Sequence, residues 1–203
     1  MTDQYWNDVY VSKKASERSW TQDSPERALA IVDELRLSHD DPILDVGAGA
    51  SNFLDGLIAR GFVDLTALDI SVVALDEARE RLGLDAPVQW IASDVTKWEP
   101  SRRYAFWRDR ATFHFLVDVD AQRRYLDVAR RALRRDGYWL LSTFAPEGPE
   151  TCSGLPVRRW STPELLDFVG DAFKVEKSDY YVHVTPWGAE QPFNSWLLRP
   201  CSD

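Results

Sequence analysis

An α/β fold built on a doubly wound, mostly parallel sheet is what this 203-residue sequence predicts, and three observations carry the prediction. Short apolar runs alternate with segments of helical period across residues 43–144, as strands and crossover helices must when neighbouring strands run parallel. The first apolar run ends in Asp45 and then Gly47-Ala48-Gly49, a strand entering a tight turn where only glycine lets backbone approach a ligand closely. The last two apolar runs are too close together for a crossover helix between them, so they should pair antiparallel.

Taken in order, residues 24–37 predict an amphipathic helix, with Ser24 as cap, Pro25 in the first turn and Ala28, Ile31, Val32 and Leu35 on one face. It leads into a strand at Ile43. After the glycine turn, Leu54, Leu57 and Ile58 recur at helical spacing until Gly61. The pattern then repeats: Leu65–Asp69 as strand, Ser71 as cap, Leu75, Ala78 and Leu82 as a helical face, Gly83 as stop. Val88–Ala92 and residues 104–107 read as strands. Tyr125, Leu126, Ala129 and Leu133 predict a helix closed by Gly137, followed by an apolar strand over residues 138–144. A short helix opens at Ser161 or Thr162 and ends near Gly170, and residues 174–183 and 193–199 make the final hairpin. The chain shows no repeat and no linker, which predicts a single domain over residues 1–203.

Composition excludes several classes of partner. A net charge of −9 and an isoelectric point near 4.9 leave no electrostatic footprint for a nucleic-acid backbone. The doublets Arg123-Arg124, Arg130-Arg131 and Arg134-Arg135 alternate with apolar positions and read as a solvated helix face. Two distant cysteines, Cys152 and Cys201, imply no disulfide framework, and there is no 18-residue apolar stretch or leader-like start, so the expectation is a cytoplasmic protein off the membrane.

The chemistry is written around the glycine turn. A bare Gly-x-Gly is also an ordinary strand-to-helix connection, but here the second strand ends in Asp69, which places a carboxylate beside the turn to accept hydrogen bonds from ribose hydroxyls. A dinucleotide fingerprint needs a third glycine where Asn52 stands. Asp45 would repel a pyrophosphate but suits an ammonium group. The pattern therefore asks for a nucleoside with a positively charged tail.

On these residues the sequence resembles the class I S-adenosylmethionine-dependent methyltransferases. The resemblance implies a Rossmann-like, seven-stranded sheet and S-adenosyl-L-methionine as cofactor, with no metal. It implies that Asp45, Gly47, Ala48 and Gly49 carry the methionine part, Asp69 the ribose and Ile70 the adenine, with Asp94 and Val95 of Ser93-Asp94-Val95 at the adenine amino group. The fourth strand, running into Arg108-Asp109-Arg110, would deliver residues toward the transferable methyl, with Arg110 on the cofactor and Asp109 orienting the acceptor or holding the ammonium group. In such proteins an N-terminal arm folds over the cofactor. Residues 1–23 hold Tyr5-Trp6, Tyr10 and Ser19-Trp20, which makes Tyr10 and Trp20 the expected lid, since an aromatic face suits a sulfonium cation.

His114, just past the fourth strand, is the candidate base; it reads alternatively as a histidine packed between Phe113 and Phe115. Cys152 lacks the paired histidine motif of a nucleophile. Nucleic-acid amino methylases carry an Asn- or Asp-Pro-Pro-aromatic tetrad after the fourth strand, where this chain has Asp109-Arg110-Ala111-Thr112. The expected acceptor is a small molecule. A lysine on a basic protein drawn to the negative surface is the alternative; the aromatic arm is similar to that of small bacterial methyltransferases and more loosely to lysine methyltransferases acting on elongation factor 1α, a resemblance that does not fix the acceptor. Two further readings are a non-catalytic nucleoside-binding protein and an aminopropyl transferase, for which Asp118 and Asp120 read more simply as residues opening the next helix.

Overall fold

The computed structural model describes residues 2–22 and 24–201; Met1 and Asp23, the ends of the expected arm, and Ser202 and Asp203 lie outside the described residues. The apolar runs form one seven-stranded sheet from β1 (Ile43–Val46), β2 (Leu65–Asp69), β3 (Val88–Ala92), β4 (Tyr104–Arg110), β5 (Leu133–Phe144), β8 (Phe173–Val184) and β9 (Glu190–Pro200). Its order is β3-β2-β1-β4-β5-β9-β8, with β1 to β5 parallel and β9 antiparallel to both β5 and β8. Two short strands, β6 (Thr151–Cys152) and β7 (Leu155–Pro156), make a separate hairpin.

Successive residues of a strand face opposite sides, and here both sides are buried. Phe106 packs with Leu29, Val32, Phe53 and Leu57 of helices α2 (Glu26–Leu35) and α3 (Phe53–Ala59), while its neighbour Trp107 packs with Tyr125 and Val128 of α5 (Val119–Ala132) and Leu165 of α6 (Thr162–Val169). That is why residues 104–107 of β4 are apolar without a break: a parallel strand covered by helices on both faces has no solvated side. The caps follow the sequence closely. Ser71 accepts the Ala74 N–H (3.1 Å) at the start of α4 (Val72–Leu82), Asp118 accepts the Ala121 N–H (2.9 Å) before α5, and Ser161 and Glu164 form a capping box on α6. Arg123, Arg124, Arg130 and Arg131 lie on the exposed side of α5.

Two expectations are corrected. Ser24 does not cap α2; Pro25 occupies that position and the Ser24 hydroxyl donates to Glu26 Oε1 at 2.5 Å. Gly137 does not close α5, which ends at Ala132 and passes directly into β5, taking Leu133 with it. Gly137 sits where the pairing of β4 with β5 shifts register, and a Cβ there would stand 2.9 Å from the Tyr104 carbonyl oxygen, so close approach of two strands calls for glycine. The arm, finally, is ordered: residues Asp3–Ser12 form helix α1, capped by the Thr2 side chain.

Candidate active site

The glycine turn leaves β1 at the end of the sheet where β2 and β4 also stop. Gly47 and Gly49 take φ of 62° and 51°, the left-handed region that suits glycine. The N–H groups of Gly47 and Ala48 both donate to the Leu68 carbonyl, at 2.8 and 3.2 Å. A Cβ on Gly47 would stand 1.6 Å from Thr112 Oγ1, and one on Gly49 2.3 Å from the Tyr10 hydroxyl, so the turn is threaded between the exit of β4 and the arm.

Asp69 closes the turn from the other side. Its Oδ2 accepts the Gly49 N–H and its Oδ1 the Ser71 N–H, each at 2.8 Å. Burial pushes its carboxyl up to about 6, against the pull of those two backbone donors. Beside it opens a cleft whose empty space, counted out into solvent, is about 740 Å³. Asp69, Ile70, Asp94 and Val95 line one wall, and Gly47, Arg110, Ala111 and Thr112 line the base. Burial raises the Asp94 carboxyl, but the Thr96 hydroxyl and N–H, with Lys97, outweigh this and hold it below the usual range.

Aromatic rings cover the cleft. Trp6, Tyr10, Trp20 and Phe115 line it, with Trp6 edge-on to Trp20 and Phe115 (centroids 5.8 and 5.0 Å) and Tyr10 edge-on to Trp20 (5.9 Å). The arm is tied down at several points. Arg18 stacks on Tyr10 (4.4 Å) and pairs through both terminal nitrogens with Glu77 of α4 at 2.8 Å, while Tyr5 donates to the Ser153 carbonyl in the β6–β7 hairpin. On the other side, His183 Nε2 donates to the Ser19 carbonyl at 2.6 Å.

Of the expected cofactor residues, Tyr10, Trp20, Gly47, Asp69, Ile70, Asp94, Val95 and Arg110 therefore share one cleft. Ala48 and Gly49 shape the turn beside it. Asp45 is fully buried beneath the turn, its Oδ1 accepting from Arg108 Nη1 at 2.7 Å while its Oδ2 has no partner among the described residues. Burial drives its carboxyl up, and Arg108 opposes this.

The two expected catalytic residues are not in the cleft, which corrects the placement of both. Asp109 points to the α5 side of the sheet, where it accepts hydrogen bonds from the Tyr125 hydroxyl (2.6 Å) and the N–H groups of Thr112 (3.0 Å) and Phe113 (3.3 Å). Burial pushes its carboxyl up to about 7. His114, in the 3-10 turn Phe113–Phe115, has no exposed surface and lies between the rings of Phe115 and Phe144, with centroids 4.5 and 4.6 Å away. Neither ring nitrogen has a partner among the described residues, and burial together with the charge of Arg110 drives it down to about 3. Sequence reasoning also missed Trp6, Thr112 and Phe115. Trp6 and Tyr10 are four apart on α1, a helical spacing that could have flagged the pair; nothing in the sequence places Thr112 against Gly47.

The parallel strands, the turn at their carboxyl ends and the acid on the neighbouring strand define a class I methyltransferase architecture. Residues 43–137 match the methyltransferase domain family model. A malonyl-[acyl-carrier protein] O-methyltransferase of Anoxybacillus flavithermus is 29% identical over 140 residues, covering 66% of this chain and 52% of the relative, so the chain spans about half of that protein's length. Among solved structures, the N-methyltransferase NodS of Bradyrhizobium japonicum superposes with a TM-score of 0.73 at 16% identity, covering 97% of this chain and 98% of that one. The 1,6-didemethyltoxoflavin-N1-methyltransferase of Burkholderia thailandensis superposes with a TM-score of 0.69 at 21% identity, covering 98% and 84%. Residues 43–137 thus match a methyltransferase domain, and the whole chain takes the fold of S-adenosylmethionine-dependent methyltransferases. Among the described residues, no helix is long and apolar enough to cross a membrane.

Proposed function

We propose that the protein transfers a methyl group from S-adenosyl-L-methionine to a small-molecule acceptor. The observation that carries this reading is Asp69, held by the Gly49 and Ser71 N–H groups so that a buried carboxylate faces an aromatic-roofed cleft. Each of its oxygens keeps acceptor capacity for a ribose hydroxyl beyond the backbone donor it already has. Ile70 and Val95 offer apolar faces for a purine, with Asp94 as acceptor for its amino group, and Gly47, where a Cβ would collide with Thr112, lets the turn pack against the exit of β4. Trp20 and Tyr10 present aromatic faces suited to a cation. The donor set thus fits the cofactor, which when bound supplies an electrophilic methyl on a sulfonium that departs as a neutral thioether.

The protein's own contribution is then position and dryness. Arg108 and Asp45 brace the turn from below, and Asp109 fixes the strand exit by holding the Thr112 and Phe113 N–H groups. Residues 2–22 act as the lid of a single catalytic domain. That lid, latched to the β6–β7 hairpin, favours an enclosed small acceptor over a lysine on a folded protein. The acidic surface argues against nucleic acid, and two free thiols, Cys152 and Cys201, suit the cytoplasm. Isothermal titration with S-adenosylmethionine, S-adenosylhomocysteine and NAD tests the core of the reading. Micromolar binding of the first two without NAD is expected; absence of both retracts it.

A further inference from the structure

Three cavities meet at the end of β4, and among the described residues Arg110 lines all of them. One is the cleft beside Asp69 and one lies behind the glycine turn. The third, about 920 Å³ with its mouth included, lies between α2 and the β5-β9-β8 part of the sheet. Its walls mix apolar Leu140 and Leu197 with hydroxyls, including the pair Ser142 Oγ and Ser195 Oγ at 2.8 Å.

Arg110 differs from every other cation around this chamber. Arg108 is paired with Asp45 (2.7 Å), Arg27 with Asp179 (2.6 Å) and Lys177 with Glu34 (2.8 Å). Among the described residues, Arg110 has no carboxylate within 4.0 Å; its Nη1 donates to the Trp20 carbonyl (2.9 Å), while its buried Nε and Nη2 meet no partner at full hydrogen-bond geometry. Those two nitrogens form one edge of the guanidinium, the parallel pair of donors that a carboxylate takes in bidentate fashion. A buried cation with its fork unfilled is costly and asks for an anion. The Tyr181 hydroxyl offers the guanidinium a hydrogen bond and the Cys152 thiol lies near enough to act on its charge, and that charge helps to keep His114 and His183 neutral. Among the described residues, no carboxylate serves as its counter-ion.

We propose that this chamber receives the methyl acceptor and that the acceptor carries a carboxylate which pairs with the Nε–Nη2 edge of Arg110. The proposal rests on the methyltransferase reading above, and it moves Arg110 from the cofactor, where the sequence reading put it, to the acceptor. With Arg27, Arg108 and Lys177 paired, the chamber keeps the one positive charge of Arg110, which attracts an anionic molecule.

The test compares wild type with Arg110→Met and Arg110→Lys. Each protein is titrated with S-adenosylhomocysteine and with 5′-methylthioadenosine, which lacks the amino-acid tail. The melting temperature of each S-adenosylhomocysteine-saturated protein is then followed in acetate, succinate and benzoate, with benzamide as the neutral control at matched ionic strength. Wild type should be stabilised by at least one of the carboxylates and not by benzamide. Arg110→Met should keep its nucleoside affinity, melt higher than wild type without carboxylate because the unpaired cation has gone, and bind the carboxylate about tenfold to hundredfold more weakly. Arg110→Lys, which keeps the charge without the fork, should fall between. A tenfold loss of S-adenosylhomocysteine binding in Arg110→Met with 5′-methylthioadenosine binding intact would assign the edge to the cofactor tail and overturn the proposal. A wild type indifferent to all three carboxylates would overturn it too. If wild type fails to bind S-adenosylhomocysteine, the methyltransferase reading falls, and the same carboxylate series on the ligand-free protein still decides whether Arg110 is an anion receptor.

Discussion

Asp69 at the end of β2 and Asp109 in β4 flank the same central strand, and burial pushes both carboxyls up, to about 6 and about 7. Their surroundings differ. Asp69 faces the cleft with one backbone donor on each oxygen, whereas Asp109 faces α5 and spends its oxygens on Tyr125, Thr112 and Phe113 inside the packed core. A perturbed acid therefore marks burial, and the side of the sheet it lies on decides whether it can meet a ligand.

The comparison breaks most sharply by truncation. Asp109→Ala leaves a phenol and two backbone N–H groups unpaired in the core and should cost about 3 kcal/mol in urea unfolding, with little change in nucleoside affinity. Should stability hold and affinity collapse instead, the two acids would have exchanged roles. Asp69→Ala should weaken S-adenosylhomocysteine by about 2–3 kcal/mol in calorimetry while stability changes far less. Unchanged affinity would remove Asp69 from the ribose.

Proton linkage sharpens the contrast further. The folded Asp109 carboxyl, near 7, lies above its ordinary value of 3.8, so between about pH 4 and 7 the folded state keeps a proton that the unfolded state has released. Its contribution to stability is thus greatest below pH 4 and is lost as pH rises through 7. The stability difference between wild type and Asp109→Asn should accordingly slope across that window; a flat difference would mean that the acid is not strained by burial. Asp69 should show itself in binding instead, with wild-type affinity falling as pH drops through about 6 and Asp69→Asn insensitive. The smallest effect is expected at His114, where Leu replaces a ring whose nitrogens bond nothing among the described residues: a stability change under about 1 kcal/mol and no loss of turnover. A collapse in turnover at constant cofactor affinity would restore His114 as the base.

Much of this contrast was legible in the sequence on one side and not on the other. Asp69 follows a glycine turn at a fixed spacing, and strand, cap and stop around it (Leu65–Asp69, Ser71, Gly83) are local signals that the structure reproduces. Asp109 and His114 had only their position after a strand. Which face of β4 a residue takes depends on pairing across β1 and β5, and the register shift opposite Gly137 lies in that pairing, outside the reach of local pattern. The helical arm was missed for a similar reason: Trp6, Val9 and Tyr10 bury against α4, a packing preference that weak amphipathicity does not announce. Arg110 was named as a site residue, but its free edge follows from what surrounds it in three dimensions.

The Tyr5–Ser153 hydrogen bond joins segments 148 residues apart in the chain and straps the first helix to the β6–β7 hairpin across the cleft. With Arg18 on α4 and His183 on Ser19 holding other margins, the roof is fastened on several sides. Loading such a chamber is a breathing event. Its association rate should report how often those fastenings part, so Tyr5→Phe is expected to speed both entry and exit of a nucleoside while leaving their ratio nearly unchanged.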